Sequence, residues 1–384
     1  MTVLLTEEQQ QVVQLARDFA AEHIAPHAAR WDAEKHFDRA TVDRLGELGF
    51  LGMLVPEAYD GLGLDTVTYL LAVEEIAAAD ASIAVSVAVH NSLPSQMLLR
   101  HGTDAQKERW LKPMARGELL GAFALSEADA GSDAAGIRAR AVRSGDAWIL
   151  NGAKAWVSNG GTADVILAMV RTDPEAAPRG SRGIGCFIVP AGVPGLVPGK
   201  PEDKMGLRAS NTAAVFFQDL RLPADHLLGD ASSGLIYALE ALDSGRLGIA
   251  AQACGIARAA LEHAQRYAAE RRQFGRPVGE FEAIRFKLAD MATRLAAARA
   301  LLHEAARRKD AGEPVTAWAA MAKLHCSETA MWVATQAVQV FGGYGFMRDY
   351  PVERLMRDAK ATEIYEGTSE IQRLVIGREL LNPH

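Results

Sequence analysis

A carboxylate beside a glycine at the mouth of a helix can serve as a base. The run Ile364-Tyr365-Glu366-Gly367-Thr368-Ser369-Glu370-Ile371-Gln372 has that form. Ser369 and Gln372 have the spacing of a capping box, which starts a helix at about that point. Gly367 lets the backbone turn sharply and approach a ligand closely. Glu366 is then expected on the turn before the helix, beside backbone N–H groups without partners. From there it could take a proton next to a carbonyl. An acidic side chain near a helix start also has an ordinary explanation, because the helix dipole favours it. On position alone the ordinary explanation prevails; the rest of the chain reverses it.

Four other stretches could hold a ligand. Phe123-Ala124-Leu125-Ser126-Glu127-Ala128-Asp129-Ala130-Gly131-Ser132-Asp133 offers small residues, hydroxyls and backbone amides that can cradle a polar heterocycle or phosphates. Trp156-Val157-Ser158-Asn159-Gly160-Gly161 ends a strand-like run with an aromatic face and a hydroxyl, which suits a large aromatic cofactor. Both stretches could equally be β-turns, with Trp156 in the core. Arg271-Arg272-Gln273-Phe274-Gly275-Arg276 closes a helix with arginines that could clamp a pyrophosphate. Helix ends attract cations without any ligand too. Gln339-Val340-Phe341-Gly342-Gly343-Tyr344-Gly345 ends another helix in glycines, either as a plain cap or where backbone meets a cofactor. No G-x-G-x-x-G, no phosphate-binding G-x-x-x-x-G-K-[ST] and no G-x-S-x-G is present. His23 and His27 lie four apart, but Pro26 separates them and no third ligand follows, so no metal is expected.

Composition narrows the class. The chain has 384 residues, 49% hydrophobic and 23% charged, enough for two or three domains of a soluble globular protein. A net charge of −7 argues against nucleic-acid binding. Cys186, Cys254 and Cys326 are far apart and read as reduced thiols. No export or import signal is visible at the N-terminus. The most apolar stretch, Ile76 to Val89, contains Asp80 and is too short to span a bilayer. A cytoplasmic protein that binds no membrane is the expectation.

The elements needed to position these residues fall into three blocks. Thr6 and Gln9 predict a capped helix running to about Trp31 with a kink at Pro26. Asp38 to Leu48, Asp65 to Ala79 and Ile83 to Gly102 also read as helices, with Val55 to Gly63 as an extended turn. From Gly121 the pattern changes. Trp148-Ile149-Leu150 looks like a strand entering a turn at Asn151-Gly152, and Val165 to Val170, Gly185 to Val189 and Ala213 to Leu220 read as strands. Beyond Gly229, Ile284, Leu288, Met291, Leu295 and Ala298 recur at helical spacing, and an Ala-rich helix covers Val315 to Val340. The predicted architecture is an α-helical domain (1–120), a middle β-barrel or sandwich domain (121–228) and a C-terminal four-helix bundle (229–384).

Taken together the motifs resemble the acyl-CoA dehydrogenase family. Ala124 to Gly136 looks like one of its hallmarks, Gln339 to Asp358 like the other, and Tyr365-Glu366-Gly367-Thr368 like its catalytic segment. The likeness runs end to end through Val55-Pro56-Glu57, Lys204-Met205-Gly206 and Arg271-x-Gln273-Phe274-Gly275, and is strongest to short-chain and short-branched-chain members. Two positions depart from the family pattern. Asp129 adds charge to the first hallmark, and Glu282 stands where the family usually has a flavin-contacting glutamine; an ionised Glu only accepts hydrogen bonds.

The resemblance implies FAD as cofactor and oxidation of an acyl-CoA to the trans-2-enoyl-CoA. By the same resemblance, Glu366 would take the pro-R α-proton as the β-hydride passes to flavin N5. It assigns FAD contacts to Phe123, Leu125, Ser126, Gly131, Ser132, Trp156, Val157 and Ser158, and to Thr368, Ser369 and Glu370. Further FAD contacts, reached across a subunit boundary, fall on Arg271, Phe274, Gln339, Val340, Phe341, Gly342 and Gly343. Substrate contacts fall on Ser132, Asp243, Ser244, Gly245, Arg246 and Gly367. Some relatives carry the base at the position of Gly245; glycine cannot serve, which leaves Glu366. An electron-transfer flavoprotein as acceptor, a homotetramer built as a dimer of dimers, and a place in fatty-acid β-oxidation or branched-chain amino-acid breakdown are also implied. The alternatives are an acyl-CoA oxidase or flavin monooxygenase of the same fold, or a helical scaffold without cofactor.

Overall fold

The computed structural model describes residues 5–173 and 182–381. Helices come first: α1 (Glu7–Phe19), α2 (Ala28–Glu34), α3 (Arg39–Glu47), α4 (Thr66–Ala79), α5 (Ala81–Ser92), α6 (Pro94–His101) and two short pieces, α7 (Asp104–Gln106) and α8 (Lys112–Ala115). The Thr6–Gln9 capping box forms, each side chain bonding the other's backbone N–H at 3.1 Å. The helix beyond it stops earlier than expected. It widens into a π turn over Ala20–Ile24 and α2 restarts at Ala28, because Pro26 brings no N–H to the ladder. The single helix expected from Ile83 to Gly102 is also two, broken at Leu93 before Pro94. Asp80 starts α5 by accepting from Ser82 N at 2.7 Å and Ile83 N at 3.0 Å.

The middle of the chain forms one sheet: β1 (Gly121–Ala124), β2 (Arg140–Ser144), β3 (Ala147–Ser158), β4 (Val165–Arg171), β5 (Ile184–Pro190), β6 (Leu196–Pro201), β7 (Thr212–Pro223) and β8 (Leu227–Leu228). Its order is β6-β7-β3-β2-β4-β5-β8, with β1 parallel to β4. The turn expected at Asn151-Gly152 is absent. β3 runs straight through, with irregular pairing to β7 between Leu150 and Gly152 and again between Lys154 and Val157. Gly152 permits this at φ 139°, a value few other residues adopt. All seven residues of β4 are buried.

The C-terminal helices are α9 (Gly234–Glu270), α10 (Glu282–Asp310), α11 (Thr316–Phe341), α12 (Pro351–Thr362) and α13 (Ser369–Leu381). The hairpin of β9 (Arg272–Gln273) and β10 (Arg276–Pro277) follows α9. At 37 residues α9 is about 55 Å long, and it packs on α4, α5, α10, α11 and α12. Met291, Leu295 and Ala298 of α10 are buried as the spacing predicts, while Ile284 and Leu288 pack half-buried at its near end. One apolar cluster joins the N-terminal helices to this bundle. A second joins Leu93 and Met97 of α6 and its approach to Leu167 of the sheet and Ile249 of α9. Among the described residues no helix is long and apolar enough to cross a membrane.

Candidate active site

Glu366 lies in the connection between α12 and α13, in left-handed backbone conformation (φ 52°), followed by Gly367 at φ 95°. For a residue with a Cβ that conformation costs on the order of 1 kcal/mol, so the turn must be held. Gln372 Nε2 donates to the carbonyls of Glu366 (3.1 Å) and Gly367 (2.9 Å), and Lys323 Nζ donates to the Gly367 carbonyl at 2.7 Å. α13 starts at Ser369 as expected, but not by the expected box. Thr368 Oγ1 accepts from Ile371 N at 3.3 Å; the cap therefore sits one residue earlier, and Gln372 is free to hold the turn. Ser369 Oγ is buried without a partner among the described residues.

The carboxylate itself points inward. Both oxygens of Glu366 are buried and neither has a hydrogen-bond partner among the described residues. It faces Gly245 in the middle of α9: a Cβ there would collide with Glu366 Oε2 and meet Leu93 Cδ2 at 3.0 Å. Loss of water pushes the Glu366 acid up to about 7, and the positive charges of Lys323 and Arg246 oppose a larger rise. Arg246 is itself ion-paired to Asp243 at 2.6 Å, and Thr316 Oγ1 donates to the other oxygen of Asp243 at 2.7 Å. Ser244 is buried beside them. Tyr365 OH donates to Gln252 Oε1 of α9, anchoring the turn from its other side. No backbone carbonyl accepts from the amide of Glu366 among the described residues, so base and free donor share one residue.

The β-domain loops converge as well. Ala155 N donates to Ser126 O at 2.9 Å, tying the Phe123–Ser132 stretch to the Trp156 strand end. Trp156 does not enter the core. It adopts φ 54° at the second irregularity of β3 and stands 57% exposed, with Val157 buried and Ser158 half-buried behind it. Leu125 is buried, Phe123 and Ser126 are half-buried, and Gly131 and Ser132 are exposed. A buried pair beneath fixes this loop. Lys154 Nζ bonds Glu127 Oε1 at 2.7 Å and Leu125 O at 3.0 Å, while the Glu127 carboxylate accepts from Arg138 N and Ala139 N. Leu93 and Leu125 belong to one apolar cluster against which Phe123 and Tyr365 pack, so the loop and the Glu366 turn share a body. Asp129 is exposed with Arg138 Nη1 at 3.7 Å, and Glu282 is exposed in the first turn of α10.

The remaining expected residues lie elsewhere. Arg271, Val340, Phe341, Gly342 and Gly343, with Tyr344, line an open groove of about 560 Å³ that no residue of the Glu366 or Trp156 groups lines. Gln339 is exposed at the end of α11. Phe274 occupies a tight hairpin with Gly275, both at positive φ, and is 93% exposed. Thr368 and Glu370 sit at the start of α13, on the Glu366 side.

Reasoning from sequence missed four participants: Lys323, Gln372 as turn holder, the Gln252–Tyr365 bond and the Lys154–Glu127 pair. For Lys323 a signal existed. Ala319, Lys323, Cys326, Ala330, Val333 and Ala337 follow one helical stripe and all are buried; a lysine on an apolar stripe needs a reason.

A helix–sheet–helix chain with an unpartnered acid on a strained turn, opposite a glycine of its longest helix, defines a class. The chain belongs to the acyl-CoA dehydrogenase family: residues 6–118 match the family's N-terminal domain, 122–220 its middle domain and 232–381 its C-terminal domain. It is 47% identical to the mitochondrial short-chain specific acyl-CoA dehydrogenase of Mus musculus, over 100% of this chain and 92% of that one. The solved butyryl-CoA dehydrogenase of Megasphaera elsdenii superposes with a TM-score of 0.97 at 44% identity, covering 100% of both chains. A chain of the structure described as "Electron transferring flavoprotein of Acidaminococcus fermentans: Towards a mechanism of flavin-based electron bifurcation" does so at 0.97 and 45%, again over 100% of both.

Proposed function

We propose that this protein removes a proton and a hydride from C2 and C3 of a short acyl-CoA thioester, giving the trans-2-enoyl-CoA, with Glu366 as the base. The observation that carries the reading is the Glu366 carboxylate: buried, unpartnered and pushed up to about 7. A base with that affinity drives removal of a C2 proton near neutral pH better than an ordinary glutamate, which is ionised there but a weaker base. The free amide of Glu366 is the donor we assign to the thioester oxygen, where negative charge grows as the proton leaves. Gly245 leaves room for the carboxylate, and the paired Asp243 and Arg246 with Ser244 line that side of α9. Similarity to short-chain and butyryl-CoA enzymes supports a short acyl group.

The residues fit FAD. A half-exposed Trp156 ring, the hydroxyls of Ser126, Ser132 and Ser158, and open space around Gly131 make a cradle for a large heterocycle. We assign Phe123, Leu125, Val157 and Thr368–Glu370 to the same cradle; Arg271, Phe274 and the Gln339–Gly343 segment would come from a second copy. FAD bound there supplies a two-electron acceptor for the hydride leaving C3. A homotetramer built from such pairs, with an electron-transfer flavoprotein as acceptor, completes the proposal; the described flavoprotein structure supports the second. The decisive experiment adds butyryl-CoA to the flavin-loaded protein without oxygen. Bleaching of the band near ~450 nm is expected, and in a second, aerated assay electrons should reach electron-transfer flavoprotein faster than hydrogen peroxide forms. No bleaching with any linear or branched short acyl-CoA that carries a C3 hydrogen would sink the reading, and peroxide as the main product in the aerated assay would make it an oxidase.

A further inference from the structure

Lys323 is 0% exposed on α11, among alanines. Its only hydrogen bond among the described residues goes to the Gly367 carbonyl, at 2.7 Å, and no carboxylate lies within ion-pair distance of it. An ammonium buried without a partner anion costs several kcal/mol, and burial pulls its own affinity for the proton down to about 8. Something must offset that cost, and the nearby charges identify it. From α9 comes Arg246, whose charge is taken up by Asp243. From the connection before α13 come Glu366 and Glu363; Glu363 is already paired with Lys360 at 2.6 Å. From the first turn of α13 comes Glu370, which is exposed. Tyr69 of α4 and Tyr365 also face Glu366 but stay neutral in the physiological range. The one acid in this set that is both buried and unpaired is Glu366.

We propose that Lys323 is the positioning residue of the base: its ammonium clamps the Glu366–Gly367 turn through the Gly367 carbonyl and supplies the uncompensated positive charge toward which Glu366 ionises. This rests on the reading of Glu366 as base. Two duties are thus combined. As a donor, Lys323 holds a strained turn that Gln372 holds from the other side. As a charge, it lets the carboxylate form at all inside a dry cavity, while a carboxylate partner at hydrogen-bond distance, which would disarm the base, is avoided.

The test separates the duties. Lys323→Gln keeps an N–H donor of similar length and loses the charge; Lys323→Met loses both; Lys323→Arg keeps the charge. The carboxyl stretch of Glu366, isolated by subtracting the infrared spectrum of Glu366→Gln, is titrated in each flavin-loaded variant without substrate. The expected result is a midpoint about one pH unit higher in the Gln and Met variants and a return toward wild type in the Arg variant. The acid limb of kcat/KM should move with it, a loss of about tenfold below the midpoint and little at high pH. A folded Gln variant with an unmoved midpoint overturns the proposal, whatever Lys323→Met does to stability. Because the infrared midpoint is read without turnover, failure of the coupling is distinguishable from failure of the base reading, which an active Glu366→Gln would reveal.

Discussion

The turn at Glu366 and the groove at Arg271 and Gly342 are built on opposite principles. At the turn the neighbours close in: Lys323, Gln372, Gly245 and the Gln252–Tyr365 bond fix two left-handed residues and dry one carboxylate. At the groove the walls stand open. Phe274 is thrust out at 93% exposure from a hairpin, Phe346 stands at 86%, and Gly275, Gly342 and Gly343 have open space around them. Large aromatics are seldom left in water without a surface to cover them. The difference teaches that the proposed base is set by contacts along its own chain, whereas the groove leaves its aromatic residues open; on the proposed reading a second copy closes over them around the flavin.

Replacing the base should have the largest effect. Glu366→Gln removes a buried carboxylate that has no hydrogen-bond partner among the described residues while keeping its shape, and we expect a loss of about 10³-fold or more in anaerobic flavin bleaching with flavin content unchanged. If wild-type bleaching survived, the turn would be a structural curiosity and the comparison would lose one side. The groove makes the converse prediction. Phe274→Ala should fold normally, since a fully exposed ring contributes little to its own chain, yet it should lose flavin and shift toward smaller assemblies by size-exclusion with light scattering. We expect roughly tenfold weaker flavin retention on dilution. A variant that keeps both flavin and assembly would show that the groove closes over nothing.

Gly245→Ala probes how tightly the turn is over-determined. The added methyl would collide with Glu366 Oε2, and Leu93 leaves it no other direction at 3.0 Å. The carboxylate must swing, so kcat should fall by about tenfold or more while thermal stability changes little; a geometric error of an ångström costs that much. An unchanged kcat would mean the carboxylate is free to move and the turn is looser than its hydrogen bonds suggest.

Much of this was legible in the residues and some was not. The three-block architecture follows from periodicity, because helical and strand spacing differ over tens of residues. Local breaks were readable only in part: Pro26 announced a kink, yet not that a π turn would precede it, and Asn151-Gly152 looked like a turn although a sheet neighbour on β7 carried the strand through it. Trp156 could not be placed by composition, since one irregular pairing decides whether it faces core or solvent. Glu366 was found from its setting, but Lys323 lies 43 positions upstream of it (366 minus 323) on another helix, and Gln252 and Gly245 lie further upstream still, across the bundle. Long-range placement of a single lysine leaves no local trace beyond its presence on an alanine stripe.

The smallest effect is thermodynamic and sharpens the contrast without any substrate. The Glu366 acid sits at about 7 in the folded protein against a reference of 4.5. Between those values the folded state holds a proton that the unfolded chain has released, so stability must fall as pH rises through that window and level off above it. Glutamine has no proton to lose. The advantage of Glu366→Gln over wild type should therefore be near constant below about pH 4.5, grow up to about pH 7 and then stay flat, by on the order of 2–4 kcal/mol. Asp358, also pushed up to about 7 by burial, is present in both proteins and cancels in the difference. Thermal midpoints of the two proteins across that range measure it, and Phe274→Ala, at the open groove, should show no such pH dependence relative to wild type. A parallel pair of curves for Glu366→Gln would mean the carboxylate is hydrated in the substrate-free protein, and the raised proton affinity that carries the base reading would be gone.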